Sequence, residues 1–425
     1  MRCPICESSD KWKNVDHFRV KPEGMSMCGG CGFISYPDKY KTKSEIIEFY
    51  KKDYRPAPNI NNIHTGERKL HYHSDFLKDV FKEWKDSGRE ELVVTDIGSA
   101  FGMFLNWMKH IFPKGDYVGV ELTQSFVRNA WHLYRIKTID DFDDYKKYDL
   151  ISSYKSLEHI LDPDIELKRY INALKDDGYL YLSVPCWFNK MSSFGKAGFD
   201  LEYYYSPSHI NTWTRKHFEG MLARCCGKII KENHVMYEST YLVQKGEVGE
   251  PAYEDPSYIM ECLDKIYKAH GFYQDGKYYE AIEVWPNFPI AHYAGYEHNR
   301  AKYHKNGFDW IHENVLKKAL KDCPGDFDTH SFVADICMRY SQYERAIEYL
   351  NEANKICPNV PGTFLMIANC FRTIGDNAPD VEAKIKAFDE ARKCATIVRN
   401  LGHQYQGEAM TWIMHDSANI PTPWE

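Results

Sequence analysis

The sequence predicts a chain of three parts: a short cysteine-spaced ribbon, an α/β domain, and an all-α repeat region. Three observations predict it. Two C-x2-C knuckles, Cys3-Pro-Ile-Cys6 and Cys28-Gly-Gly-Cys31, stand within the first forty residues. Strand-like and helix-like patterns alternate from 41 to about 246. From 258 onward only helical periodicity is found, and between these segments KGEVGEPAYEDPS (245–257) gathers Gly, Pro and acidic residues as a linker does. The boundaries read this way are 1–40 for the ribbon, 41–246 for the α/β domain, 247–257 for the linker and 258–425 for the helical repeats.

A chain of 425 residues exceeds what one core usually serves. Hydrophobic residues make up 43% and charged residues 27%, as in a globular protein in water. A formal net charge of −7 weighs against a non-specific nucleic-acid binder, so nucleic acid is not an expected partner. The first residues, MRCPICESSDKW, lack the apolar core of a signal peptide, and no run of eighteen apolar residues predicts a membrane span. Thirteen cysteines then read as thiols and metal ligands in a reducing compartment, the cytoplasm.

The paired knuckles, separated by 21 residues, supply four thiolates to the corners of a tetrahedron, as Zn²⁺ prefers. A redox C-x-x-C is the other reading, but it needs one motif where this chain has two, and no βαβ pattern surrounds them. Cys3, Cys6, Cys28 and Cys31 therefore predict a closed, structural zinc site in a ribbon too small to fold without metal. Phe18 to Met27 forms the loop between the knuckles and is a candidate for contact with substrate.

Glu91 to Ile97 (ELVVTDI) reads as a buried strand running into the turn Gly98-Ser99-Ala100-Phe101-Gly102, with a helix from about 102 to 110. The spacing is G-x-A-x-G, not the G-x-G-x-x-G of dinucleotide binders. The glycines alone also fit a plain strand-to-helix turn. A second strand, Tyr117 to Val120, ends in Glu121, one crossover helix and one return strand later, where a carboxylate can accept hydrogen bonds from both hydroxyls of a ribose.

With DIGSAFG, GVE, YDLISSYKSLEHILDP (148–163) and LKDDGYLYLSVP (174–185) in this order and spacing, residues 66 to 246 resemble the class I S-adenosylmethionine-dependent methyltransferases. The resemblance implies a Rossmann-like, seven-stranded methyltransferase sheet, with a hairpin whose glycine precedes the fifth strand. It implies S-adenosylmethionine as cofactor. Asp96 would orient the turn and the methionine amino group, and Gly98, Ser99, Ala100 and Gly102 would lie along the methionine and ribose. Glu121 would hold the ribose hydroxyls, Leu122 the adenine face, and Asp140 or Asp141 the adenine amino group. Ala100 stands where the family's turn has its central glycine, one methyl group more. A zinc ribbon ahead of such a domain looks like a subgroup that methylates sugars and other small metabolites.

Methyl transfer from a sulfonium is an in-line displacement, so the protein positions the acceptor and removes its proton. The strand 148–153 ends at Tyr154-Lys155-Ser156, where the acceptor should approach, and Tyr154 is a candidate cofactor contact there. The Asn- or Asp-Pro-Pro-aromatic element of DNA base methyltransferases is absent, which argues against nucleobase amino groups. His159 of Glu158-His159 is one candidate general base, and it reads equally as a loop cap; Glu158 reads as fixing local backbone. His209 is the second candidate, in a His-x-x-x-aromatic loop with Trp213 that lines the acceptor pocket in related enzymes. Tyr203 to Tyr205 read as an aromatic wall for a sugar or as lid packing, and Thr214 as a helix N-cap. GKIIKENHV and STYLVQKG read as the last two strands.

The C-terminal part repeats with a period near 34: Ala334 and Ala368, Pro324 and Pro358, and Gly307, Ser341 and Gly375 fall at that interval. Ala334…Tyr343…Ala346…Leu350…Ala353…Pro358 resembles the tetratricopeptide repeat, with an earlier, shortened copy at Phe272, Gly276, Tyr278 and Ala281. About four units would stack into a small solenoid that binds a protein partner or self-associates, the last one longer around NAPD (377–380). A generic helical bundle is the alternative. Together these readings predict methyl transfer to a small-molecule acceptor, a sugar or carbohydrate-linked metabolite. The alternatives are a protein methyltransferase whose substrate the repeats hold, and a non-catalytic binding scaffold.

Overall fold

A computed structural model describes residues 2–9, 12–15, 26–35, 42–52, 76–187, 209–235, 238–357 and 360–401. The chain divides into two compact units, the first holding the described residues up to Lys268 and the second those from Ala269 onward. Among the described residues no helix is long and apolar enough to cross a membrane.

The first unit is built on one sheet. Its centre is β4 (Val93–Ile97), whose β-branched residues are buried as a strand covered on both faces requires. β5 (Asp116–Val120) pairs with it in parallel on one side and β7 (Tyr148–Tyr154) on the other. β6 (Lys137–Ile139) extends the β5 side in parallel. β8 (Leu174–Trp187) follows β7 in parallel, and β11 (Glu238–Lys245) then runs antiparallel between β8 and β10 (Gly227–Val235). Parallel neighbours need crossovers, and helices supply them. Those between β4 and β8 are α3 (Met103–Ile111), α4 (Gln124–Tyr134) and α5 (Pro163–Ala173), after α1 (Lys43–Lys52) and α2 (76–86) earlier in the chain. The expected hairpin at 174–185 is instead one strand, with a register irregularity between Tyr148 and Leu150 of its partner.

The sheet does not stop there. β9 (Asn211–Thr214) pairs in parallel with the last residues of β8, Cys186↔Trp213 and Trp187↔Thr214. On its other side β9 pairs antiparallel with β3 (Ile34–Ser35), and β3 leads through β2 (Ser26–Cys28) to β1 (Trp12–Asn14). The cysteine segment is thus an edge of the same eleven-stranded sheet, and Cys3, Ile5, Cys28, Cys31 and Phe33 share one buried cluster with Leu180, Leu182, Trp213 and Phe218. Phe33 stacks on Trp213 with ring centroids 6.3 Å apart. Thr214 caps α6 (Arg215–Arg224): its hydroxyl accepts from His217 N at 3.1 Å while His217 Nδ1 accepts from Thr214 N. The other ring nitrogen, Nε2, meets Cys31 O at 2.5 Å; burial outweighs the raising effect of that bond and keeps the imidazole neutral, its pKa lowered to about 4.

Arg224 fastens the ribbon from α6. Its guanidinium donates to Ile5 O and Pro4 O, pairs with Glu7 at 2.6 Å and reaches the buried Asp164 at 3.1 Å, which Arg2 holds from the other side at 2.6 Å.

The second unit is helical. α7 (Pro256–Gln274) runs into it, and α8 (Tyr278–Val284), α9 (Pro289–His304) and α10 follow. α10 runs on through Phe308–Ile311, a π-helical turn His312–Leu316, and Lys317–Asp322. Then come α11 (Phe327–Arg339), α12 (Tyr343–Ile356), α13 (Pro361–Asp376) and α14 (Val381–Leu401). Gly276, Gly307 and Ser341 all take positive φ at turns between successive helices. Gly375, expected to match them, lies inside α13 instead, and the turn of the last pair falls after Asn377. A side chain at 375 would crowd Phe388 of α14, so smallness there serves helix packing. Ala334, Ala346, Ala353 and Ala368 are fully buried, as close helix crossings require, while Pro358 lies outside the described residues.

The Arg224→Ala variant leaves Asp164 with Arg2 alone and two ribbon carbonyls without their donor. The expected loss is roughly 3 kcal/mol, at the low end for breaking a buried pair because Arg2 stays in place. Chemical denaturation of the full chain measures it, and an unchanged midpoint and slope would show that the ribbon is held by apolar packing alone.

A candidate active site at the carboxyl ends of the strands

In a parallel sheet, ligands bind beyond the carboxyl ends of the strands where the crossovers diverge. β4 ends there at Ile97, and the next residues turn sharply: Gly98, Ala100 and Gly102 have φ of 70°, 45° and 74°. Gly98 N and Ser99 N both donate to Val120 O, at 2.9 and 3.1 Å, which ties the turn to the end of β5. Glu121 locks it further. One carboxylate oxygen accepts from Ala100 N at 2.9 Å and the other from Thr123 N at 2.7 Å, leaving a lone pair on each for a ligand hydroxyl. These bonds compensate the left-handed conformation of Ala100, which is unfavourable for a residue with a Cβ. Burial nevertheless raises the Glu121 pKa above its ordinary value.

Asp96 lies one residue before the end of β4 and accepts from the Ser152 hydroxyl of β7. Its pKa is pushed up to about 7, first by burial and further by the Glu121 charge, against the pull of Ser152. Ser99 Oγ is buried without a hydrogen-bond partner among the described residues, against Gly119. Leu122 is half-buried beyond Glu121. Bare left-handed backbone, two buried carboxylates and an orphaned hydroxyl fit an ammonium and a ribose diol.

Asp141 is exposed and lies 3.6 Å from Lys43 and 3.5 Å from Arg169; Asp140 lies 3.8 Å from Lys51. Both lysines belong to α1. That helix also places the Tyr50 carbonyl 3.4 Å from Thr123 Oγ1 and the Tyr50 ring 5.9 Å from His159. Nothing in the local sequence of 43–52 marked it as part of the site.

Next along the sheet, Tyr154 ends β7 and donates to Glu238 at 3.1 Å. Lys155 pairs with the same carboxylate at 3.0 Å and Ser183 donates to it at 2.5 Å. Burial raises the Glu238 pKa, but Lys155, Ser183 and Tyr154 outweigh it and hold the group ionised. Sequence reasoning missed Glu238, which opens β11 and carries no motif. Leu157–His159 forms a single 3-10 turn after β7. There Glu158, His159 and His209 converge: their ligand atoms lie within 4.8 Å of one another, Glu158 Oε1 is 3.9 Å from His159 Nε2, and the two imidazole centroids are 4.9 Å apart. The main-chain carbonyl of Glu158 accepts from Ile210 N at 2.8 Å, and its buried carboxylate belongs to the cluster. Trp213 does not line this pocket. It is fully buried against Phe33 and Phe218, because β9 turns it into the core. Tyr203 to Tyr205 lie outside the described residues.

Cys3, Cys6, Cys28 and Cys31 point their sulfurs together, with Sγ–Sγ distances of 3.7 Å for Cys3–Cys31 and for Cys6–Cys28. Zn–S bonds of about 2.3 Å in a tetrahedron set sulfurs about 3.8 Å apart. Gly30 N donates to Cys28 Sγ at 3.3 Å, and the Cys28 pKa is lowered, chiefly by the neighbouring Cys3 thiol.

Residues 68–225 match the family model of a methyltransferase domain. Over that stretch the chain is similar to a methyltransferase domain. Solved structures similar to this chain include an S-adenosylmethionine-dependent methyltransferase from Clostridium acetobutylicum ATCC 824. It is 13% identical, with 48% of this chain and 98% of that one covered and a TM-score of 0.32. An O-methyltransferase family protein from Burkholderia thailandensis is 14% identical, over 50% and 69% of the chains, at 0.34. A methyltransferase dependent on the same donor from Aquifex aeolicus is 16% identical, over 38% and 87%, at 0.29. No curated protein matches the chain. The turn after β4 and the buried carboxylates Asp96 and Glu121 lie together at the carboxyl ends of β4 and β5.

At Gly98 a Cβ would sit 2.2 Å from Ser156 Oγ, the hydroxyl that donates to Ile97 O at 2.9 Å. The Gly98→Ala variant is expected to lose about 2 kcal/mol, and Gly88→Ala about 1 kcal/mol from left-handed backbone strain alone, since at Gly88 a Cβ meets nothing. Thermal melting of the two variants checks this; equal losses would mean that Ser156 yields freely.

Proposed function

We propose that this domain methylates a hydroxyl group of a small acceptor, a sugar or carbohydrate-linked metabolite. In this reading Cys3, Cys6, Cys28 and Cys31 hold one structural Zn²⁺, and the helical hairpins of the second unit, read as tetratricopeptide-like repeats, bind a protein or a second copy. The chain works in a reducing compartment, the cytoplasm. The observation that carries the reading is the convergence of Glu158, His159 and His209, on the same edge of the sheet as Asp96 and Glu121.

S-adenosylmethionine, when bound, supplies a methyl group already activated on a sulfonium. The chain's residues do the rest. Asp96 takes the methionine ammonium, Gly98, Ser99, Ala100 and Gly102 offer backbone close to the ligand, and Glu121 accepts from the ribose hydroxyls. Leu122 lies against the adenine and Asp141 reaches its amino group. Tyr154, fixed by Glu238, borders the acceptor, and the cluster of Glu158, His159 and His209 is where the acceptor hydroxyl loses its proton. Tyr154-Lys155-Ser156, in place of a Pro-Pro-aromatic element, supports an oxygen acceptor over a nucleobase amine.

Asp96 gives the donor side a pH signature. Below about pH 7 the ligand-free carboxyl is largely protonated, and an ammonium beside it favours the ionised form. Donor binding near pH 6 is therefore expected to release most of one proton, and none above about pH 8. Calorimetry in buffers of different ionisation enthalpy reads this number; release that persists in Asp96→Asn would assign it to another group.

The function itself is tested by incubating the full chain with cell-extract metabolites and candidate saccharides, using donor labelled in its methyl group. Mass spectrometry should find label in a small molecule. His159→Ala and His209→Ala should lower kcat by about 10²–10⁴ while leaving the donor Kd unchanged. Label found only in protein would overturn the small-acceptor reading.

A further inference from the structure

We propose that Glu158, His159 and His209 hold a divalent transition-metal ion, of the zinc or manganese type, which binds the acceptor's hydroxyl oxygen. The proposal deepens the methyl-transfer reading above and rests on it. Two imidazoles and a carboxylate form a mixed ligand set that such ions favour, and three protein ligands leave positions open for a substrate oxygen. Their ligand atoms lie within 4.8 Å of one another, with 3.9 Å between Glu158 Oε1 and His159 Nε2. Bonds of about 2.1 Å place ligands of one ion roughly 3 to 4.2 Å apart, so small side-chain rotations close the set.

The ligands are preorganised from two directions. Glu158 and His159 sit on the 3-10 turn that follows β7, and His209 precedes β9. The segments are bolted together by Ile210 N to Glu158 O at 2.8 Å and by Asn211 Nδ2 to Ile160 O at 2.5 Å. Ser35 of the ribbon adds its hydroxyl to Ile210 O at 3.2 Å. Glu158 is fully buried and His209 nearly so. A carboxylate at that depth is stabilised by a cation, and imidazoles at that depth are better metal ligands when neutral.

The chemistry balances without another reactant. The cation draws electron density from the acceptor oxygen, its O–H bond breaks, and the proton passes to water. The oxygen then bonds to the donor's methyl carbon as the carbon–sulfur bond breaks with its electron pair on sulfur. Neither histidine has to carry the proton.

The test uses the full chain with its cysteine cluster filled by Zn²⁺, titrated with Co²⁺. The expected result is one further equivalent with weak visible d–d bands of nitrogen and oxygen ligands, and no thiolate charge-transfer band. Glu158→Gln and His209→Ala should each weaken it at least tenfold, with donor binding unchanged by calorimetry as proof of folding; His159→Gln is the second variant should one of these not fold. No second equivalent at millimolar Co²⁺, cobalt bound only through thiolates, or bands that survive in the variants would overturn the proposal. Labelled-donor turnover separates the two readings. Full turnover in chelator-treated protein that retains only cluster zinc overturns the cation and leaves methyl transfer standing. Normal cobalt bands with no labelled product under any metal overturn the methyl-transfer reading instead.

Discussion

The first unit depends on four residues of backbone. Asn211–Thr214 pair with the end of β8 on one side and with the ribbon strand Ile34–Ser35 on the other. A strand this short has little stability of its own, and most strands need neighbours and a buried face to persist. Here both edges are paired, all four residues are buried, and Trp213 between Phe33 and Phe218 supplies the apolar mass. Two consequences follow. The cysteine segment is a continuation of the catalytic sheet, and His209, two residues before the strand, inherits its position from both.

The donor side obeys a different constraint. Its carboxylates are buried where the turn needs them, and burial opposes their ionisation. Glu121 is kept in place by two backbone amides, Ala100 N in the turn and Thr123 N beyond β5. The same bonds hold Ala100 in a left-handed conformation that glycine would adopt more easily. The left-handed Ala100 is therefore accommodated locally, by the carboxylate of Glu121.

Much of this side was legible in the sequence, because it is local. DIGSAFG and GVE each lie on one strand end, and the interval between them is one crossover. The acceptor side was harder to read for a physical reason. Glu238 meets Tyr154 across 84 positions, and α1 reaches Thr123 across 73, with no periodicity to announce either contact. Trp213 was assigned to a pocket because an aromatic near a histidine looks like a wall. Packing between Phe33 and Phe218 holds it in the core instead. The repeat period in the second unit was visible, yet Gly375 had the right spacing and a different task, filling a helix crossing where Ser341 makes a turn.

These two modes of construction separate the halves of the site. Donor contacts are held by parallel ladders among β4, β5 and β7 that involve neither β9 nor the ribbon. The acceptor cluster is held by the 3-10 turn, β9 and the ribbon, with Arg224 and His217 of α6 clamping Pro4, Ile5 and Cys31. Changes in the ribbon therefore reach His209 and Glu158 through hydrogen bonds, and the Ser156 hydroxyl at the head of the same 3-10 turn links that cluster to Ile97, beside Asp96.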